Sequence, residues 1–134
     1  MKIQIVDASV AIKWFLPEKN SEASLAILKA IENNPTEFAV PELFFNEMLS
    51  VFCRLCRSGK EIVDNVHLLE ELGLQRIGNG SELLGCAAKL AFDYKLSGYD
   101  AIYAACAQLM RGVWITADER AHAKISYMKI SRLP

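Results

Sequence analysis

The sequence predicts an α/β fold in which a central parallel β-sheet is flanked by α-helices. Short apolar runs rich in β-branched residues alternate with helical patterns along the whole chain. Two of those runs are followed at once by an aspartate and then by a helix, as loops at the carboxyl edge of a parallel sheet are. At 134 residues, 52% hydrophobic and 23% charged, the chain fits one domain (residues 1–134) large enough to bury a core.

Lys2–Val6 reads as the first strand, ended by Asp7. Ala8–Phe15 reads as a helix capped by Asp7 or Ser9 and stopped by Pro17. A second helix runs from about Ser21 to Glu32, terminated by Asn33-Asn34-Pro35. Phe38-Ala39-Val40 is a second strand. Pro41 opens a long helix to about Ser58, since proline in a first turn has no N–H partner to lose, and Gly59 closes it. Lys60–Leu72 is a further helix with Gly73 as its stop, and Leu74–Ile77 a third strand. Gly78-Asn79-Gly80 is a turn, and Ser81 caps the helix Glu82–Leu96. Gly98 breaks that helix, and Asp100–Met110 forms the next. Val113–Thr116 is a fourth strand, Glu119–Lys124 a short helix and Tyr127–Ile130 a last edge strand. The crossovers between parallel strands should be right-handed.

The chain shows no internal repeat, linker or low-complexity segment. Its first residues are too soon charged for a signal peptide, and no apolar run approaches a membrane span, so the expected location is the cytoplasm. Net charge is −1, which names no partner. Lys13, Arg54, Arg57, Lys60, Lys89, Lys95, Arg111, Arg120 and Lys124 are candidates for a cationic rim that would suit a phosphate-bearing substrate. A solvated mixed-charge surface is the other reading of the same residues. Cys53-Arg54-Leu55-Cys56 has redox spacing but falls deep in a helical pattern, not at the helix N-terminus where thiols are activated. Cys86 and Cys106 are isolated, and His67 and His122 lack ligand spacing. The four cysteines read as small buried apolar residues.

Four acids carry the functional signal: Asp7, Glu47, Asp100 and Asp118. Asp7 could simply cap the following helix, but Ser9 adds one more oxygen than a cap requires. Glu47 lies at the edge of the stripe Phe44, Met48, Val51, Phe52 and Leu55 on a 3.6-residue wheel. It faces the core boundary, where pairing with Arg54 is its structural alternative. Ser97-Gly98-Tyr99-Asp100 matches a helix-start pattern. Yet Ala101, Ala104, Ala105 and Ala107 make that helix small-sided, able to bring Asp100 close to the strand ends. Thr116 and Glu119 could cap around Asp118, which follows a strongly apolar strand. All four acids reach the same edge of the expected sheet. Converging carboxylates repel one another, and a hard divalent cation with oxygen ligands, Mg2+ or Mn2+, is the usual remedy. Phosphoryl transfer or phosphodiester hydrolysis is the usual chemistry of such a site.

In order along the chain, Ile5-Val6-Asp7-Ala8-Ser9-Val10-Ala11-Ile12-Lys13-Trp14-Phe15 (with Glu18 shortly after), Val40-Pro41-Glu42-Leu43 leading to Glu47, Leu96-Ser97-Gly98-Tyr99-Asp100-Ala101-Ile102-Tyr103-Ala104-Ala105-Cys106-Ala107, and Trp114-Ile115-Thr116-Ala117-Asp118-Glu119-Arg120 resemble the PIN-domain family. The resemblance is greatest to its toxin branch, the VapC-type ribonucleases of type II toxin–antitoxin systems. It implies a metal-dependent endoribonuclease, usually a homodimer, held silent by a cognate antitoxin. It places the catalytic and metal-binding quartet on Asp7, Glu47, Asp100 and Asp118, with Ser9 and Thr116 as supporting hydroxyls and Mg2+ or Mn2+ as cofactor. Asp7, Asp100 and Asp118 would hold the ions, and Glu47 would orient a water carried by the ion or complete the shell. Lys13, Arg54 and Arg120 would contact RNA. Family members often carry Asn three residues after the helical Glu; here that residue is Ser50. Two rival classes stand beside this reading. A catalytically silent binding module of the same fold would keep the residues without the activity. A receiver-like phosphoacceptor domain wants an Asp after a middle strand, where this chain has Gly78-Asn79.

Overall fold

The computed structural model describes residues 2–16 and 21–134. Five strands form one parallel sheet in the order β3-β2-β1-β4-β5: β1 (Gln4–Val6), β2 (Phe38–Pro41), β3 (Gln75–Ile77), β4 (Val113–Ile115) and β5 (Ser131–Arg132). Among the described residues seven α-helices flank it: α1 (Ala8–Ala11), α2 (Glu22–Asn33), α3 (Leu43–Leu55), α4 (Gly59–Glu71), α5 (Ser81–Tyr94), α6 (Gly98–Leu109) and α7 (Glu119–Ile125). The α/β class with a parallel sheet is as expected. Strand order runs outward from β1 through β2 and β3, then reverses through β4 and β5. The switch therefore lies between β1 and β4, the point where open α/β sheets bind ligands.

The central strands are buried on both faces, so they read as continuous apolar runs. Ile5, Val6, Ala39, Val40, Trp114 and Ile115 are fully buried. Helix α6 packs on β1, β2 and β4, with α5 along it. Its buried side chains are Ala101, Tyr103, Ala104, Ala105, Cys106 and Ala107. Such small residues let the helix backbone lie close to the sheet, and the Tyr103 ring stacks on Trp114 with centroids 6.1 Å apart.

Several boundaries differ from the sequence expectation, each for a local reason. The first helix is shorter: α1 ends at Ala11, and a 3-10 turn, Ile12–Trp14, follows it. The tighter turn accompanies a bond from Trp14 Nε1 to the Ser24 carbonyl of 2.8 Å. The expected stop at Pro17 and the match at Glu18 lie outside the described residues. Pro41 does not open α3 but ends β2, paired with Ile77. The pairing of β2 with β1 stops at Ala39, so the missing proline N–H has no ladder partner to lose.

The helix expected from Pro41 to about Ser58 is shorter at both ends, running Leu43–Leu55, and the one expected at Lys60–Leu72 is α4, Gly59–Glu71. Cys56 leaves α3 in extended geometry, and Ser58 starts α4 by accepting from the Glu61 amide at 3.2 Å. Glu61 accepts in return from the Arg57 amide at 3.2 Å. Ser58-Gly59-Lys60-Glu61 is thus a capping-box signal for a helix start, and Gly59 begins a helix instead of closing one. Gly80, not Ser81, occupies the cap position of α5. Likewise Gly98 is the first residue of α6, because Ser97 accepts from the Asp100 amide at 3.1 Å. Tyr127–Ile130 is not a strand. Ser126–Met128 forms a 3-10 turn, Lys129 turns the chain at φ 59, and the edge strand is only Ser131–Arg132. The cysteines also differ. Cys106 alone is buried, Cys53 is exposed, and Cys56 caps the C-terminal end of α3.

One close approach holds the central pair of strands. A Cβ on Gly112 would lie 2.1 Å from the Ile3 carbonyl oxygen, just where Val113 donates to that same oxygen at 2.9 Å. Gly112→Ala is expected to cost about 1–3 kcal/mol through forced backbone displacement. This is checked by the denaturation midpoint; an unchanged midpoint would show that β1 and β4 need no such proximity.

Candidate functional site

The site begins with the end of β1. Asp7 donates its amide to the Ile115 carbonyl at 3.0 Å, which ties the exit of β1 to β4. Its carboxylate is 6% exposed and caps α1. Oδ2 accepts from the Ser9 hydroxyl, from the Thr116 hydroxyl at 3.0 Å and from the Ser9 amide at 3.4 Å. No hydrogen bond reaches Oδ1 among the described residues. The two hydroxyls also accept backbone bonds, Ser9 from the loop after β4 and Thr116 from within that loop. Ser9 Oγ takes the Ala117 amide at 2.9 Å, and Thr116 Oγ1 takes the Asp118 amide at 3.1 Å. The loops after β1 and β4 are therefore clipped together through side chains.

Asp118 is the N-cap of α7. Its Oδ1 accepts from the Arg120 amide at 3.0 Å and the Ala121 amide at 3.1 Å, so the cap is Asp118 itself and not Thr116. Its other oxygen again receives no hydrogen bond among the described residues. Glu47 projects from the half-buried side of α3. Its partner is not Arg54: Oε1 accepts from the Tyr103 hydroxyl at 2.7 Å, and Oε2 receives none among the described residues. Tyr103 is a residue the sequence reading quoted but gave no role. Its signal was present, an aromatic hydroxyl among the alanines of the buried face of α6.

Electrostatics place the four acids in one neighbourhood. Burial pushes the Asp7 carboxyl above the usual carboxylate range; the Ser9 and Thr116 hydroxyls oppose this, and Asp100 adds to it. Burial likewise raises Glu47, against the Tyr103 bond, with Asp7 and Asp100 adding repulsion. Asp100 is raised by burial, opposed by Ser97, raised further by Asp118, and eased by Lys124. Burial and the two carboxylates Asp7 and Glu47 hold the Tyr103 phenol far above its ordinary range, against the Ala8 amide, so it stays a donor. Among the described residues no three His, Cys, Asp or Glu side chains stand close enough to hold one ion by themselves.

The candidate cations are spread around this centre. Lys13 lines a cleft with Ala117 and Glu119. Arg54 lines another with Ser9 and Glu47. Arg120 is exposed in the first turn of α7. Lys124, at 3.0 Å from the Lys95 carbonyl, lies on the Asp100 side. Lys60, by contrast, pairs with Asp64 on α4 at 2.9 Å.

The raised carboxyls have a consequence for stability. Their folded forms hold protons more tightly than the unfolded chain does, so the stabilisation is complete below the ordinary carboxylate pKa. It is lost as pH rises through the raised folded values. In chelator, the midpoint of thermal unfolding should fall from pH 5 to pH 8. Asp7→Asn, whose amide oxygen can still accept from Ser9 and Thr116, should flatten that slope and raise the midpoint at pH 8. A steeper slope in the variant would contradict the assignment of strain to this carboxylate.

The PIN domain family matches residues 5–126. Among solved structures, a chain of a toxin–antitoxin complex from Klebsiella pneumoniae superposes with a TM-score of 0.70 at 21% identity, covering 90% of this chain and 90% of that chain. FitAcB from Neisseria gonorrhoeae gives 0.70 at 17% identity, covering 92% and 94%. VapBC2 from Rickettsia felis, bound to a DNA fragment from its promoter, gives 0.67 at 12% identity, covering 98% and 98%. These likenesses are likenesses of fold. A search of curated protein sequences gives no match. No helix among the described residues is long and apolar enough to cross a membrane. With the family match reaching from β1 into the turn after α7, and so taking in both clipped loops, the chain belongs to the PIN domain family.

Proposed function

We propose that this protein is a divalent-metal-dependent endoribonuclease, the toxin of a toxin–antitoxin pair, acting from the cytoplasm as a homodimer. The observation that carries the reading is the one-sided anchoring of three carboxylates. Asp7, Glu47 and Asp118 each spend one oxygen on the fold and, among the described residues, keep the other free of protein donors. Neighbouring acids that range from buried Asp7 through half-buried Glu47 to exposed Asp118, each with an open hard-oxygen donor, suit Mg2+ or Mn2+, and Mg2+ in particular keeps several waters and needs only one or two carboxylates. The absence of a closed three-residue cage is compatible with such a shell. Asp7, Asp100 and Asp118 would hold the ion, directly or through water, with Glu47 at its edge. When bound, the ion would lower the pKa of a water and neutralise charge gathering on the phosphate.

The chain's own residues then have separable tasks. Ser9 and Thr116 fix the Asp7 carboxylate, and Tyr103 fixes Glu47; such outer partners typically matter 10–100-fold. Lys13, Arg54 and Arg120 would take flanking phosphates and position the RNA without reading its sequence. The antitoxin partner is proposed from the toxin–antitoxin assemblies named for the fold relatives. A silent binding module remains the rival, and a receiver-like phosphoacceptor lacks its Asp after β3, where Gly78 and Asn79 stand.

Purified protein is expected to cleave a pool of structured RNAs in Mn2+ or Mg2+, to stop in EDTA, and to lose the activity in Asp118→Asn. Full activity in Asp118→Asn would sink the site assignment. No cleavage by a folded protein that binds the metal would favour the silent module. Thr116→Val is expected to keep the fold and lower the cleavage rate by about 10–100-fold, measured as kcat on one fixed RNA. A rate equal to wild type would remove Thr116 from the site.

A further inference from the structure

Beside the acidic centre a cleft of 330 Å³ opens between α1, α3 and the start of α6, lined among others by Ser9, Ile12, Glu47, Ser50, Arg54 and Tyr99. Its volume falls at the low end of small-ligand sites, about 300–1,000 Å³, a size for one nucleoside and not for a duplex. Its lining is mixed. Ile12 gives it an apolar wall, Ser50 a hydroxyl, and Arg54 a guanidinium with no ion pair among the described residues. Tyr99 is 63% exposed, with no ring partner among the described residues. It directly precedes Asp100, so its ring stands one residue from the acidic group. An exposed aromatic face beside an unpaired guanidinium, next to a place where a phosphate would react, is the equipment of a single-strand stacking site.

We propose that this cleft receives the base of an unpaired nucleotide flanking the cleaved phosphate, stacked on Tyr99, with Arg54 on the neighbouring phosphate and Ser50 within reach of a base edge. The inference rests on the nuclease reading above and adds to it the side chain on which the substrate is held: Tyr99, for an unstacked base beside the cut. A duplex keeps its bases stacked and cannot offer one to the cleft. Tyr99, which selects unstacked bases, and Arg54, which holds a phosphate, are thus positioning groups distinct from the carboxylates.

The test is binding by fluorescence anisotropy of a labelled single-stranded RNA of about 12 nucleotides, within the span of known single-strand sites. It uses Asp118→Asn protein to prevent cleavage, with Tyr99→Leu, Tyr99→Phe or Arg54→Ala added. Tyr99→Leu is expected to weaken binding about 5–100-fold and Tyr99→Phe about twofold or less, as stacking on an aromatic ring requires. The same RNA annealed into a duplex should bind no better to Tyr99 protein than to Tyr99→Leu protein. In cleavage by otherwise wild-type protein, Tyr99→Leu should raise KM. Equal thermal midpoints exclude a folding defect, since the side chain is largely exposed. Equal affinity in Tyr99→Leu and parent protein overturns the inference, as a cleft reserved for a peptide of a protein partner would produce. So does a Tyr99→Phe loss as large as that of Tyr99→Leu. Metal-dependent cleavage in the presence of either result leaves the nuclease reading intact; absence of metal-dependent cleavage and of any RNA binding by the parent removes both.

Discussion

One buried carboxylate sets the geometry of this molecule. Asp7 stands where the strand order of the sheet reverses, and two hydroxyls, Ser9 from α1 and Thr116 from the loop after β4, converge on a single one of its oxygens. A carboxylate so removed from water costs several kcal/mol unless it is hydrogen-bonded or neutralised. Ser9 and Thr116 supply the bonds and, through the Ala117 and Asp118 amides, turn the same bonds into a clip between the exits of β1 and β4. The path of the chain into α7, and with it the position of Asp118, follows from that clip. Removing Thr116 would therefore act on two carboxylates at once.

The second arm of the site depends on α6. Its alanines bring the helix against β1, β2 and β4, and this closeness lets Tyr103 lie flat on Trp114 while its hydroxyl reaches Glu47 across the top of the core. A bulkier helix would stand off from the sheet and leave Glu47 without its donor. Burial and mutual repulsion still raise the Asp7, Glu47 and Asp100 carboxyls above their ordinary range, so these groups oppose the stability of the fold around them. Such conflict between site and fold is the common cost of function.

Much of this was legible in the residues. Apolar β-branched runs separated by helical periods fixed the α/β class, and the Asp after each of two runs marked the carboxyl edge of the sheet. What escaped was decided by tertiary partners or by competing local signals. Pro41 reads as a helix opener until the register with Ile77 makes it the end of a strand. Ser58 and Glu61 form a start signal around Gly59, so a glycine that reads as the close of one helix is the first residue of the next. Gly98 reads as a breaker, although the Ser97 hydroxyl makes it a first helical residue. The edge strand slipped because a left-handed Lys129 gives no sequence signal. At the site, the Glu47 wheel position was legible, but its partner was not. Arg54 is the neighbour along the helix, whereas Tyr103 is 56 residues away in sequence, and only the packing of α6 brings it there.

The most direct test of the central claim, that these carboxylates form one divalent-cation site, is calorimetric titration of Mn2+ into the protein at pH 7.5, with Asp7→Asn and Asp118→Asn alongside. The account predicts saturable binding to the parent, lost or strongly weakened in each variant although both remain folded. Mn2+ binding of undiminished affinity in both variants would contradict it.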